Sequence, residues 1–263
     1  FLKDDNYKLD FKKLKLASEK RSFSFESRET SNKFFGDRIS LSASQIEKYH
    51  LCKFQYFCRY ALNARERKVA QVDALEYGSL MHYIFENIFK ENSIEDLKSK
   101  SYSNIKLIVE KYLNDYVINK LGGWEDKSAR FKFHFERLVK TASNLIIHMI
   151  KELSQSEFTP KEFEVNIGSK GKIKPLMLKL LDDTKVIIEG KIDRLDLMNK
   201  NGVSYIRIVD YKTGVKDFKL SDILYGINIQ MLLYMDAVLK GSRKYNENII
   251  PAGILYMSAN QPI

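Results

Sequence analysis

Cysteine is scarce in this chain: Cys52 and Cys58 are the only two among 263 residues. Two thiols are too few for a disulfide framework, so a small stapled extracellular fold is excluded and a reducing cytoplasm is the default setting. No apolar run approaches the ~18 residues that cross a bilayer, which argues against a membrane partner. The opening stretch, FLKDDNYKLD, mixes charges instead of passing from basic to apolar, so it carries no secretory signal. It also lacks an initiating Met, and the chain therefore reads as part of a longer polypeptide. Internal repeats and low-complexity segments are missing too. What remains is an ordinary globular chain, long enough for one large domain or two small ones.

The composition that is present fits that class, with 44% hydrophobic and 30% charged residues. The formal net charge is +10. A basic excess of this size favours a polyanionic partner, because neutralising phosphates releases counterions. Lysine-rich compositions are common, so charge alone does not decide for nucleic acid.

Residues 1–38 show little periodicity, many charges and scattered serines, and read as a linker or peripheral arm of a preceding domain. From Ser42 the signal changes. Ser42-Ala-Ser-Gln45 fits a capping box, and Ile46, Tyr49, Phe54 and Phe57 follow near helical spacing. A second helix is predicted over 75–91, with Met81, Ile84, Phe85 and Ile88 on its apolar face. Two more are predicted near 104–119 and 130–153, on either side of the Gly122-Gly123 break. The second half turns to strands: Phe163–Ile167, Leu176–Leu181, Lys185–Leu197, Val203–Lys212 and Ile254–Met257. A helix from about Ser221 to Leu239 carries Ile223, Ile227, Met231 and Tyr234 on one stripe. The order implies an α/β domain over 39–263, in which helices flank a mixed sheet of about four or five strands and the N-terminal half is helical.

The hairpin EGKIDRLDLMNKNGVSYIRIVDYKTG carries the sharpest inference. If Asn201-Gly202 forms a two-residue type I′ loop, Lys200 faces Val203 and paired residue numbers sum to 403. Asp193 then lies opposite Asp210, with Lys212 two residues along on the same face. Directly opposed β-carbons sit ~4.5–5.5 Å apart, and two carboxylates that close repel unless a positive charge lies between them. A hard divalent cation with oxygen ligands suits that place, and Mg²⁺ accepts one or two carboxylates plus water and phosphate. Lys212 adds a fixed positive charge where negative charge would develop on an attacked phosphate. The bland alternative is a solvated strand face whose acids pair with Arg194, Arg207 and nearby lysines. Against it, the same face carries Leu195, Leu197, Ile206 and Ile208, so the aspartates extend an apolar row. His50, His134 and His148 have no comparable company and read as structural.

Gly190-x-x-Asp193-Arg194-x-Asp196, Val209-Asp210-Tyr211-Lys212-Thr213-Gly214 and Gln230-x-x-x-Tyr234 resemble, in that order, motifs of the RecB-like branch of the PD-(D/E)XK nuclease superfamily. Gly78-Ser-Leu-Met-His82 is similar to that branch's upstream histidine motif. Ser42-Ala-Ser-Gln-Ile-Glu-x-Tyr-x-x-Cys52-x-Phe-x-x-Phe57 resembles the AddB-type nuclease domains of AddAB helicase–nucleases. The resemblance runs from about Ile39 to the end of the chain. It implies that His82, Asp193, Asp210 and the backbone carbonyl of Tyr211 bind Mg²⁺, with Mn²⁺ able to substitute. Lys212 would orient the attacking water or stabilise the phosphorane, and Glu164 matches an accessory acid. Gln230 and Tyr234, spaced i,i+4, would present one helix face to the site or the DNA backbone.

The same resemblance gives Cys52 as the first of four thiolates holding a [4Fe–4S] cluster. Four are needed, and no cysteine follows Cys58, so this chain by itself cannot assemble one. The domain therefore reads as truncated at its C-terminus, with the cluster expected in the full-length protein. The activity implied is metal-dependent hydrolysis of single-stranded DNA within a helicase–nuclease that processes double-strand breaks, beside an AddA-like subunit. Two other readings stay open: an inactive nuclease-fold scaffold that binds DNA, and a stand-alone RecB-like exonuclease.

Overall fold

The computed structural model describes residues 15, 24–25, 27–36, 39–65, 74–125, 127–181, 183–212, 219–241 and 249–258. Phe1–Asp37 and Arg38–Ile263 form two compact units. In the first, helix α1 (Arg28–Phe35) starts at Ser27, whose hydroxyl accepts the Thr30 N–H at 3.2 Å.

The second unit opens on β1 (Ile39–Ser42) and α2 (Ala43–Leu51). β1 is absent from the predicted strands, being four residues long and running straight into a helix cap. The capping box forms at their junction: Ser42 accepts the Gln45 N–H at 3.2 Å, and Gln45 Oε1 takes the Ser42 N–H at 2.7 Å. The helical spacing through Phe57 is interrupted at Cys52, whose extended backbone (φ −159°, ψ 105°) ends α2. Its sulfur accepts the Gln55 N–H at 3.4 Å and so starts α3 (Lys53–Tyr56), which passes into a π-helical turn (Phe57–Ala61).

The helical half comprises α4 (Ala74–Glu91), α5 (Ile94–Ser99), α6 (Tyr102–Leu121) and α7 (Ala129–Ser154). On α4, Met81, Ile84, Phe85 and Ile88 are buried, as their spacing requires. Each contributes on the order of 2 kcal/mol of hydrophobic burial. α6 ends where Gly122 turns left-handed at φ 79°.

Among the described residues, six strands make one mixed sheet: β1, β2 (Thr159–Ile167), β3 (Leu176–Lys179), β4 (Lys185–Lys200), β5 (Val203–Lys212) and β6 (Ile249–Ser258). The long β4 is its spine. Its first part pairs with β1 in parallel and β3 antiparallel; its later part pairs with β2 and β5, both antiparallel. β6 runs parallel to β5. The β4–β5 hairpin has the predicted register, from Lys200↔Val203 to Arg194↔Val209. Asn201 (φ 52°) and Gly202 (φ 75°) are both left-handed, as a type I′ loop demands.

The helix expected over Ser221–Leu239 is two helices, α8 (Leu220–Leu224) and α9 (Gln230–Gly241). Gly226 (φ 73°) and Asn228 (φ 59°) break it, and a Cβ on Gly226 would sit 2.6 Å from the His50 ring. The break makes Gln230 the first residue of α9.

Two apolar clusters cover the sheet. One joins α4, α6 and α7 to Phe163, Val209 and Tyr211; the other joins Ala43 and α9 to Val165, Ile192, Leu195, Ile206 and Ile208. Residues two apart on a strand share a face. Phe163 and Val165 nevertheless belong to different clusters, and between them Glu164 is left-handed at φ 52°. On β4, Ile192 and Leu195, three apart, share one cluster. Both strands thus switch faces at neighbouring positions, Glu164 and Asp193. That switch lets side chains from both helical layers reach one place.

Candidate active site

The place where the strands switch faces is lined with carboxylates. Asp193, buried on β4, lies one pair beyond the end of the β4–β5 ladder, where the register puts Asp210 opposite. Its Oδ2 accepts the Tyr211 N–H at 2.7 Å, so a side chain takes over a backbone donor as regular pairing stops. From the helical layer, His82 of α4 places Nδ1 3.1 Å from Glu164 Oε1 and 3.5 Å from Asp193 Oδ1. Its Nε2 lies 3.4 Å from the Tyr211 carbonyl oxygen. From the other layer, Gln230 donates to Asp210 Oδ1 at 3.1 Å. Lys212 Nζ lies 2.6 Å from Asp210 Oδ2.

Burial and like charge govern the electrostatics. Burial first, then Asp210 and Glu164, pushes the Asp193 carboxyl up to about 7, against the opposing pull of His82 and the Tyr211 N–H. Burial works to lower the His82 imidazole, but Glu164, Asp193 and the Tyr211 carbonyl outweigh it and raise its pKa. For Glu164 burial works upward, and His82 with Lys191 brings the net value below the usual carboxylate range.

Ligand atoms of His82, Glu164 and Asp193 lie within 4.8 Å of one another, a spacing one ion can bridge. Residues 40–263, which carry this whole arrangement, match the family model of the PD-(D/E)XK nuclease superfamily. The chain belongs to that superfamily. PD-(D/E)XK nucleases depend on divalent metal, and this site suits one: an imidazole and hard carboxylate oxygens converge, and without a cation Asp193 is costly to ionise.

Curated relatives include the B subunit of the ATP-dependent helicase/deoxyribonuclease of Clostridium novyi (strain NT), 35% identical over 246 residues, covering 90% of this chain and 21% of that protein. Its counterpart from Thermoanaerobacter sp. (strain X514) is 34% identical over 236 residues, covering 88% and 20%. The chain thus spans about a fifth of the length of these relatives.

The PD-(D/E)XK residues singled out in the sequence fall as follows. His82, Asp193 and Glu164 bring ligand-type atoms within 4.8 Å of one another, which places Glu164 beside His82 and Asp193. Asp210 is adjacent but turned to Gln230 and Lys212. The Tyr211 carbonyl borders the site beside His82. Tyr234 is buried against Gly190, beside the backbone of Lys191. A Cβ on Gly190 would lie 2.3 Å from Tyr234 Oη, so the motif glycine leaves room for that ring. Cys52 is exposed at the start of α3. Thr213 and Gly214 lie outside the described residues.

The ion-paired alternative also exists, at a different acid. Asp196 is fully buried and paired with Arg194 at 2.8 Å and Arg207 at 2.7 Å, on the face away from Asp210. Sequence reasoning passed over three neighbours of the site. Lys191 forms an ion pair with Glu164, and its position two residues before Asp193 was a usable signal. Tyr256 of β6 lies in register with Asp210, and burial, then Asp210 and Glu47, pushes its phenol up to about 12. Parallel pairing leaves no turn from which that register could be read. Arg194 reaches behind Tyr211, a placement that depends on the face switch.

Proposed function

We propose that this domain is a divalent-metal-dependent deoxyribonuclease that hydrolyses phosphodiester bonds of single-stranded DNA. In the longer protein it would serve a helicase–nuclease that processes double-strand breaks, partnered by an AddA-like subunit. The observation that carries the reading is the convergence of His82, Glu164 and Asp193 next to the Asp210–Lys212 pair. His82, Glu164 and Asp193 would hold Mg²⁺, or Mn²⁺ in its place, with Asp210 and the Tyr211 carbonyl available to complete the shell. A cation held there supplies a water of lowered pKa and neutralises phosphate charge.

The chain's own groups do the remaining work. Lys212, anchored by Asp210, orients the attacking water or meets charge building on the phosphate oxygens. Gln230 fixes the rotamer of Asp210 from the first turn of α9. Tyr234 sits one turn further along α9 and packs against β4 at Gly190, three residues before Asp193. The net charge of +10 favours strand binding. Cys52 would contribute one thiolate to a [4Fe–4S] cluster, which needs four and so could not be completed by these 263 residues alone.

The test is degradation of end-labelled single-stranded DNA with Mg²⁺ or Mn²⁺ by the wild type and by Asp210→Ala. Metal-dependent cleavage lost in the variant is the expected result. Persistent cleavage by the variant would remove Asp210 from the site. DNA binding without cleavage by both this domain and the longer chain would favour the inactive scaffold.

A further inference from the structure

Tyr211 touches the metal-binding group at three points, two through its backbone and one through its ring. Its N–H fixes Asp193 Oδ2 at 2.7 Å, its carbonyl stands 3.4 Å from His82 Nε2, and its ring lies 5.6 Å from the imidazole, edge to face. The phenol points the other way, into the core. There the Arg194 guanidinium donates to its oxygen at 3.2 Å and lies 5.9 Å from the ring centre.

Arg194 is itself paired with carboxylates. It is fully buried, gripped by both carboxylate oxygens of Asp196 at 2.8 and 3.0 Å, and approached by Glu152 of α7 at 3.8 Å. Arg207 clamps Asp196 from the far side and reaches Glu152 at 3.0 Å. Removing a partner from a buried charge of this kind is costly, so these side chains act as one unit. It reaches toward the site through the Tyr211 hydroxyl.

We infer that the Tyr211 hydroxyl, held by the Arg194–Asp196 pair, is a positioning group that sets the spacing of His82 and Asp193 and hence the affinity for the divalent cation. Arg194 and Asp196 act through Tyr211 and touch no reacting atom. The inference rests on reading His82, Glu164 and Asp193 as metal ligands. Groups that orient ligands from behind typically change metal affinity by about 10–100-fold when removed.

Tyr211→Phe is the informative variant. It keeps the ring against Phe85, 4.8 Å away, and leaves Arg194 paired with Asp196, whereas replacing Arg194 would take from the buried Asp196 one of its two arginine partners. Mn²⁺ binding to metal-stripped protein is measured by calorimetry without DNA, and thermal stability in EDTA is measured alongside. The expected result, at a temperature where the variant is fully folded, is Mn²⁺ affinity weakened about 10–100-fold. Affinity within about twofold of wild type, with only the melting temperature lowered, would overturn the inference and leave a purely structural role. Wild type that binds no Mn²⁺ would overturn the metal-site reading together with the inference. A second variant, His82→Ala combined with Tyr211→Phe, checks the route. The Tyr211 effect should shrink when His82 is gone, and a full-size effect there would rule out action through ligand spacing.

Discussion

Replacing Asp193 by Asn should make the metal-free protein more stable while abolishing its response to metal. The carboxyl is buried, and its pKa rises from 3.8 to about 7 in the folded protein. Each pKa unit is worth about 1.4 kcal/mol, so ionised Asp193 costs the fold up to roughly 4 kcal/mol. That figure already includes the pull of His82; Asn keeps an oxygen for the Tyr211 N–H, and because the fold relaxes around a buried charge the expected net gain is about half the upper figure, about 2 kcal/mol. For a domain of this size that is roughly 4–8 °C in melting temperature. The sign with pH follows from the raised folded-state value. Below about pH 4 the carboxyl is protonated in both states and costs nothing. Between about 4 and 7 the unfolded state gives up the proton first, so stability falls as pH rises. Above about 7 the cost is constant. Melts in EDTA at pH ~5 and pH ~8 should therefore show a larger advantage for Asp193→Asn at the higher pH. Mn²⁺ at about 100 times its dissociation constant should add about 2.7 kcal/mol to wild type and nothing to the variant. An Asn variant no more stable than wild type at the higher pH, or one with the same gain at both, would refute the argument from buried charge.

Lys212→Ala should lower the cleavage rate by about 10²–10³-fold while Mn²⁺ affinity by calorimetry holds or tightens; weakened metal binding would mean that Lys212 organises the ligands instead. Gly190→Ala should displace the Tyr234 ring, since the new methyl would lie 2.3 Å from its oxygen, at a cost of about 1–3 kcal/mol in urea melts. Placed on Tyr234→Ala, the same substitution should cost far less, and an additive double mutant would show that the clash lies elsewhere. Ser42→Ala removes one half of the capping box and should cost about 1 kcal/mol; Ser42→Asp should recover most of it.

Where local chemistry alone sets the geometry, the structure follows the sequence closely. The Ser42 box, the apolar stripe of α4 and the register of the Asn201-Gly202 hairpin each depend on a few neighbouring residues. From that register the opposition of Asp193 and Asp210 followed directly. The features missed depend on distant parts of the chain. The α8–α9 break packs Gly226 against His50, 176 residues earlier by number, whereas the break at Cys52 is local, its sulfur accepting the Gln55 N–H three residues on. Glu164 comes beside His82 because β2 turns left-handed there, a conformation that a glutamate does not advertise. The family resemblance supplied His82, whose partners lie 82 and 111 residues further along the chain.

The switch of faces on β2 and β4 has a mechanical consequence. His82 is rooted in the cluster of α4, α6 and α7, and Gln230 in the cluster built around α9, with the carboxylates on the seam between them. An ion held there would tie the two cores together, so metal occupancy would report their alignment. Amide hydrogen exchange in the two clusters should then proceed at distinct rates in EDTA and converge once Mn²⁺ is bound, the ion acting as a rivet through the middle of the domain.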